Sequence, residues 1–210
     1  MSLLIHQEST STTNRDGNAF AVWITGLPAS GKSTLARALV KELAVLRVNA
    51  VILESDELRK ILTPTPDYSA QERDFFYSAL TGLAALLVSQ GFPVIIDATA
   101  NRSLYREEAR QTISRFLEVL VDTPLEVCID RDPKGIYGRA RQGLADTVPG
   151  LQIPYENGSR ADLIVSGTEE SPSDAALRII AGLRERNYLP EPPRSGAHRG
   201  RLLPEEEDLT

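Results

Sequence analysis

The chain has 210 residues, with 23 Lys plus Arg against 29 Asp plus Glu and a formal net charge of −6 at pH 7. That length suits one domain with a single buried core, and 41% hydrophobic residues exclude a wholly disordered chain. The acidic balance argues against a nucleic-acid-coating surface, and the single cysteine, Cys128, excludes an intramolecular disulfide scaffold or a cysteine-based zinc cluster.

Residues 1–18 lack the basic start and apolar middle of a signal peptide and carry the run Ser9-Thr10-Ser11-Thr12-Thr13; a flexible arm is expected. Residues 19–187 hold the expected domain. The near-continuous apolar run 20–25 predicts a strand covered on both faces, with Trp23 in the core. A glycine-rich turn leads into a predicted helix over 33–46, where Leu35, Ala38, Leu39, Leu43 and Leu46 form one stripe. Strands are expected at 50–53 and 93–96, the latter ending on Asp97, with a helix over 69–90 between them that stops at Gly91. A charged amphipathic helix over 102–116 and a strand over 118–121 follow. Thr123, Pro124 and Glu126 then spell a helix start, with Thr123 as cap and Pro124 in the first turn. A strand over 162–165 and a helix over 172–186 close the domain. Residues 188–210 turn to Pro, Glu, Arg and Gly, the composition of a disordered tail. His6 and His198 fall in the two arms, and no apolar run approaches the roughly 20 residues of a membrane span. A cytoplasmic protein that binds neither nucleic acid nor membrane is expected.

Gly26-Leu27-Pro28-Ala29-Ser30-Gly31-Lys32-Ser33 fits G-x-x-x-x-G-K-[ST] without a mismatch, after an apolar strand and opening a helix. Such a loop wraps its backbone N–H groups around a phosphate at a helix N-terminus, so residues 26–34, through Thr34, are expected to hold a nucleoside triphosphate. Lys32 is expected to bridge the β- and γ-phosphates, and the Ser33 hydroxyl to bind Mg²⁺. Asp97, at a strand end, is either a partner of the Mg²⁺ shell or a helix cap. With strands and helices alternating, the expected fold is α/β, a P-loop NTPase-type three-layer sandwich with a mostly parallel five-stranded sheet. No N-K-x-D tetrapeptide marks a GTPase, and the size suits a small kinase better than a motor ATPase.

A second segment is more specific. Val121-Asp122-Thr123-Pro124-Leu125-Glu126-Val127-Cys128 is followed by Arg131-Asp132-Pro133-Lys134-Gly135-Ile136-Tyr137 and Arg139-Ala140-Arg141-Gln142-Gly143, then by Pro149-Gly150 and Pro154-Tyr155-Glu156. From Ile24 to Tyr155 the chain resembles the adenylylsulfate kinases. The resemblance implies transfer of the ATP γ-phosphoryl to the ribose 3′-hydroxyl of adenosine 5′-phosphosulfate, with Lys32 and Asp56 catalytic. It also implies a lid over ATP bearing Lys134, Arg139 and Arg141. On the acceptor it implies Asp56, Arg59, Tyr68 and Arg73. Asp56 has a rival role as a helix cap, and Arg59 and Arg73 as solvated surface arginines. Cys128 reads as a packing residue.

The acceptor side departs from the family pattern. Glu54 stands for the first Asp of D-G-D-N-x-R, Phe76 for an acceptor-binding Asn, and Val148 for the Phe that faces the acceptor adenine opposite the residue matching Tyr68. Asp97-Ala98-Thr99-Ala100-Asn101-Arg102 replaces the F-I-S-P loop, and no role is carried over to Ser103. Two alternatives stay open: a related kinase acting on another hydroxyl-bearing nucleotide, sugar or small metabolite, and a nucleotide-binding regulator without turnover. The sequence is compatible with a homodimer acting on a small-molecule acceptor.

Overall fold

The computed structural model describes residues 19–157 and 160–190. The arm expected at 1–18 and the tail from 191 onward, with His6 and His198, lie outside the described residues.

Among the described residues, five strands, β1 (Ala21–Thr25), β2 (Val51–Glu54), β3 (Val94–Asp97), β4 (Phe116–Asp122) and β5 (Leu163–Ser166), form one sheet in the order β2-β3-β1-β4-β5. Every neighbouring pair is parallel. Among the described residues seven helices connect and close it: α1 (Lys32–Val45), α2 (Ser55–Leu62), α3 (Ala70–Ser89), α4 (Ser103–Thr112), α5 (Leu125–Arg131), α6 (Ile136–Arg141) and α7 (Pro172–Glu185).

The two-residue period of β1 sorts its side chains into two cores. Val22 and Ile24 pack with Leu35, Leu39 and Leu43 of α1 and with Ile179 and Leu183 of α7. Ala21 and Trp23 pack with Phe76 and Leu80 of α3 and with Tyr105 and Ala109 of α4. Trp23 is fully buried, and its indole N–H donates to the Ala98 carbonyl at 3.1 Å. The expected three-layer α/β sandwich is thus present, with an all-parallel sheet among the described residues. No helix among them is long and apolar enough to cross a membrane.

Three boundaries differ from the sequence reading. Helix α4 ends at Thr112 rather than 116, because Ile113 is extended (φ −112°, ψ 109°) and Phe116 opens β4 opposite Ala21. Ala109, Ile113 and Phe116 keep helical spacing across that break because all three bury into the same layer. Helix α5 starts at Leu125 with Pro124 at its cap position. The Thr123 hydroxyl, expected to cap it, donates instead to the Ser30 carbonyl at 3.0 Å. Finally, the packed domain runs past 187: Leu189 is buried against the α1–α7 core, so the expected tail cannot begin at 188.

The register places Ile24 beside Asp97 and Asp97 beside Glu54. Everything that follows the carboxyl ends of β1, β2 and β3 therefore meets at one rim, where open parallel sheets bind ligands.

Candidate active site

The loop between β1 and α1 is built so that backbone, not side chain, lines its concave face. Gly26 has φ 147°, and a Cβ there would come within 2.7 Å of both the Val121 carbonyl and the Ser30 hydroxyl, so only glycine fits. Gly31 occupies the cap position of α1 without any side-chain cap, and the first turn carries no acid. The amide donors of that turn are left to a ligand. Pro28 through Thr34 line a cleft of about 850 Å³ together with Glu54, Asp56, Asp97, Thr99, Arg131 and Lys134. Gly26 and Leu27 do not line it, and Leu27 borders a second depression with Gly150 to Tyr155.

Lys32 is 9% exposed and its ammonium donates to the Leu27 carbonyl at 2.7 Å, closing the loop on itself. Burial lowers its pKa to about 8, only partly offset by the Asp97 carboxylate. Such a lysine is poised to gain from a polyphosphate, which would restore its full charge.

Across the cleft, Asp56 is exposed in the first turn of α2 and is ion-paired with Lys134, whose ammonium is also 4.0 Å from Glu54. Burial alone would lower the Lys134 pKa, but the hydrogen bond and charge of Asp56 outweigh it and push it up. The helix that Asp56 was weighed as capping has Glu54 at its cap position and no side-chain cap bond. Asp97 is buried at the end of β3 and lines the cleft. Among the described residues, no group of three or more His, Cys, Asp or Glu is placed to hold a metal on its own. Ser33, Asp97, Glu54 and Asp56 offer only oxygen donors, a set that suits a hard divalent cation carried largely by phosphates and water.

Arg59, Tyr68 and Arg73 lie together, outside the lining of that cleft. Arg59 is buried and ion-paired with Glu72 at 2.6 Å, and its guanidinium lies over the Phe76 ring. Glu72 sits three residues past Ser69, the cap of α3, and its other oxygen accepts from the amides of Asp67 (2.5 Å) and Tyr68 (3.0 Å). Tyr68 is thereby held in the left-handed region, φ 55°. Arg73 donates to the Tyr68 carbonyl at 3.0 Å and to the Thr147 carbonyl at 2.8 Å, joining α3 to the segment after α6. Val148, next to Thr147, is 4% exposed and packs with Cys128, Tyr137 and Ala140. Arg139 and Arg141 are exposed on α6 and do not line the cleft.

Several residues that carried no role in the sequence reading shape the site. Arg131 donates to the Gly167 carbonyl at 2.8 Å and to Ser30 at 3.4 Å. At Gly167 a Cβ would lie 1.9 Å from the Thr123 hydroxyl and 2.6 Å from the Ser30 carbonyl, so the loop after β5 presses directly on the phosphate loop. The sequence signal for Arg131 is its place in the Arg131-Asp132-Pro133-Lys134 motif. The Tyr155 hydroxyl is 2.9 Å from that of Thr25, which donates to the Thr99 carbonyl at 2.6 Å. Arg106 is 1% exposed, pairs with buried Glu118 at 2.7 Å, and donates to the carbonyls of Ala100 and Glu156. Ser103 opens α4, and its amide and hydroxyl both donate to the Glu156 carboxylate.

Comparison with known proteins adds a family. Residues 18–166 match the model of the family described as adenylylsulphate kinase. The adenylyl-sulfate kinase of Synechococcus sp. (strain JA-3-3Ab) is 34% identical over 80% of this chain and 96% of its own. The probable adenylyl-sulfate kinase of Pyrococcus abyssi is 35% identical over 81% of this chain and 98% of its own. Among solved structures, the Mycobacterium tuberculosis APS kinase CysC in complex with AMPPNP and APS superposes with a TM-score of 0.75 at 32% identity, covering 79% of this chain and 98% of that one.

Proposed function

The chain belongs to the adenylylsulphate kinase family, and from that premise we propose that it transfers the γ-phosphoryl group of ATP to the 3′-hydroxyl of adenylyl sulfate. The observation that carries the reading is the shared cleft, lined both by an uncapped phosphate loop and by a carboxylate, Asp56, that is ion-paired with Lys134.

Phosphoryl transfer asks little covalent chemistry of the protein; it asks for positioning and neutralised charge. The amides at the start of α1 hold the phosphates, and Lys32 leaves the Leu27 carbonyl to meet the charge that builds on the transferred group. Mg²⁺ bound with the nucleotide supplies further neutralisation, and Ser33 and Asp97 are the residues that would hold it. Asp56, released from Lys134, orients the attacking hydroxyl and accepts its proton. Arg59 and Arg73 offer guanidinium groups for the anionic end of the acceptor, and Tyr68 a ring for its base. Lys134, Arg139 and Arg141 lie on the segment that closes over ATP and keeps water from the transfer. A cytoplasmic enzyme, monomer or homodimer, acting on a small diffusible acceptor is the setting this reading implies.

Phe76 and Val148 favour a second reading, a relative that phosphorylates a hydroxyl of another nucleotide, sugar or small metabolite. ADP release by the purified protein, screened with adenylyl sulfate, other nucleotides and sugars, separates the two. Release that depends on adenylyl sulfate is expected; release that depends on another acceptor gives the second reading. Nucleotide binding without acceptor-dependent release would make the protein a regulator.

A further inference from the structure

Arg59 is restrained on three sides. Its guanidinium carbon lies 3.9 Å from the centre of the Phe76 ring and 5.1 Å from that of Tyr68. One edge, Nη1, is held by Glu72, and the same carboxylate fixes the Tyr68 backbone. Phe76 itself is fully buried, edge-on against Tyr77 at 5.4 Å, so its ring is part of the core.

We propose that Phe76 is a positioning residue for the acceptor, fixing the Arg59 guanidinium that meets the anionic end of adenylyl sulfate; this rests on the functional reading above. A free arginine loses freedom about several rotatable bonds when it clamps an anion, and a guanidinium already held over an aromatic face has lost much of it beforehand. The planar fork is also less hydrated than an ammonium, so stacking leaves its outer edge ready for two parallel hydrogen bonds. An Asn at position 76 would offer the acceptor an amide; Phe offers it nothing directly. Recognition in this chain therefore leans on a rigid, pre-aimed positive charge in place of a side-chain hydrogen bond.

The test uses the full-length protein with Phe76→Leu and Phe76→Met, each in the wild-type and the Arg59→Lys backgrounds. The acceptor KM is expected to rise about tenfold, while kcat and the ATP KM stay within about twofold. In the Arg59→Lys background the same substitutions should add little, because an ammonium has no planar fork for the ring to orient. An equal KM rise in both backgrounds would overturn the proposal, since Phe76 would then act through the core. A second readout needs no turnover: the Arg59 Nε–H resonance, assigned by its loss in Arg59→Lys, should be shielded by the ring in the free wild-type protein. An unshifted resonance overturns the proposal even if the Phe76 variants do not fold. Absence of adenylyl-sulfate-dependent ADP release by wild type would instead remove the functional reading, and the resonance would still decide whether Phe76 holds Arg59.

Discussion

The donor and acceptor halves of the site are made of different materials. The donor half is backbone: a nine-residue stretch whose glycines and first helical turn present amides, with Lys32 as its one charged side chain. The acceptor half is side chain: Arg59 from α2, Tyr68 from a left-handed turn, Arg73 and Phe76 from α3, tied to Thr147 beyond α6. Backbone geometry is dictated by neighbours in sequence, so one short motif determines it. A side-chain clamp depends on where three elements come to rest. It can drift while the fold and the donor half stay the same.

The sharpest way to break this contrast is Lys32→Ala. Phosphoryl transfer is expected to fall by at least about 10²–10³-fold with the fold intact, whatever acceptor is offered. Turnover within a few-fold of wild type would remove the phosphate-loop assignment. Arg73→Ala should act on one half only. Acceptor kcat/KM should drop about 10- to 100-fold, the loss of a charge-assisted hydrogen bond, with ATP affinity nearly unchanged. A comparable loss of ATP affinity would show that the Arg73–Thr147 tie also shapes the donor half.

Val148→Phe restores the family residue on paper, yet Val148 is enclosed by Cys128, Tyr137 and Ala140. Overpacking should cost about 1–3 kcal/mol of stability with no gain in acceptor affinity, measured by denaturant melts and by acceptor KM. A tighter acceptor KM would mean that position 148 reaches the substrate after all.

The smallest effect is a proton. Lys32 titrates near 8 in the free protein, against 10.5 for an unburied lysine. Between those values the unfolded chain binds more protons than the folded one, so this group makes stability rise with pH across that window. ATP should raise the folded pKa again. Nucleotide binding near pH 8.5 should therefore take up a fraction of a proton, seen in calorimetry as a heat that depends on the buffer, and absent in Lys32→Met.

The same contrast governs what could be read from the letters alone. Strand β1, the phosphate loop and helix α1 were legible because period, glycine placement and motif agree over one stretch. Helix α4 was overrun because Ile113 and Phe116 bury into the layer that Ala109 already faces, so the apolar spacing continues where the helix does not. Thr123 and Pro124 look like a cap, but the buried carbonyl of Ser30, 93 residues away in sequence, claims the hydroxyl. The Phe76–Arg59 stack left no signal in the sequence. Its partners belong to different helices and meet only in the folded chain.

Arg106 has a consequence for how this fold breathes. One fully enclosed guanidinium satisfies Glu118 on β4 and the carbonyls of Ala100 and Glu156, and the Glu156 amide in turn donates to Asn101. Peeling either loop from the sheet strips donors from that guanidinium, and the second loop loses its anchor with the first. The segments around 100 and 156, separated by more than fifty positions along the chain, form one cooperative unit. Their amides are expected to exchange with solvent together, at a rate set by the opening of the charged pair beneath them.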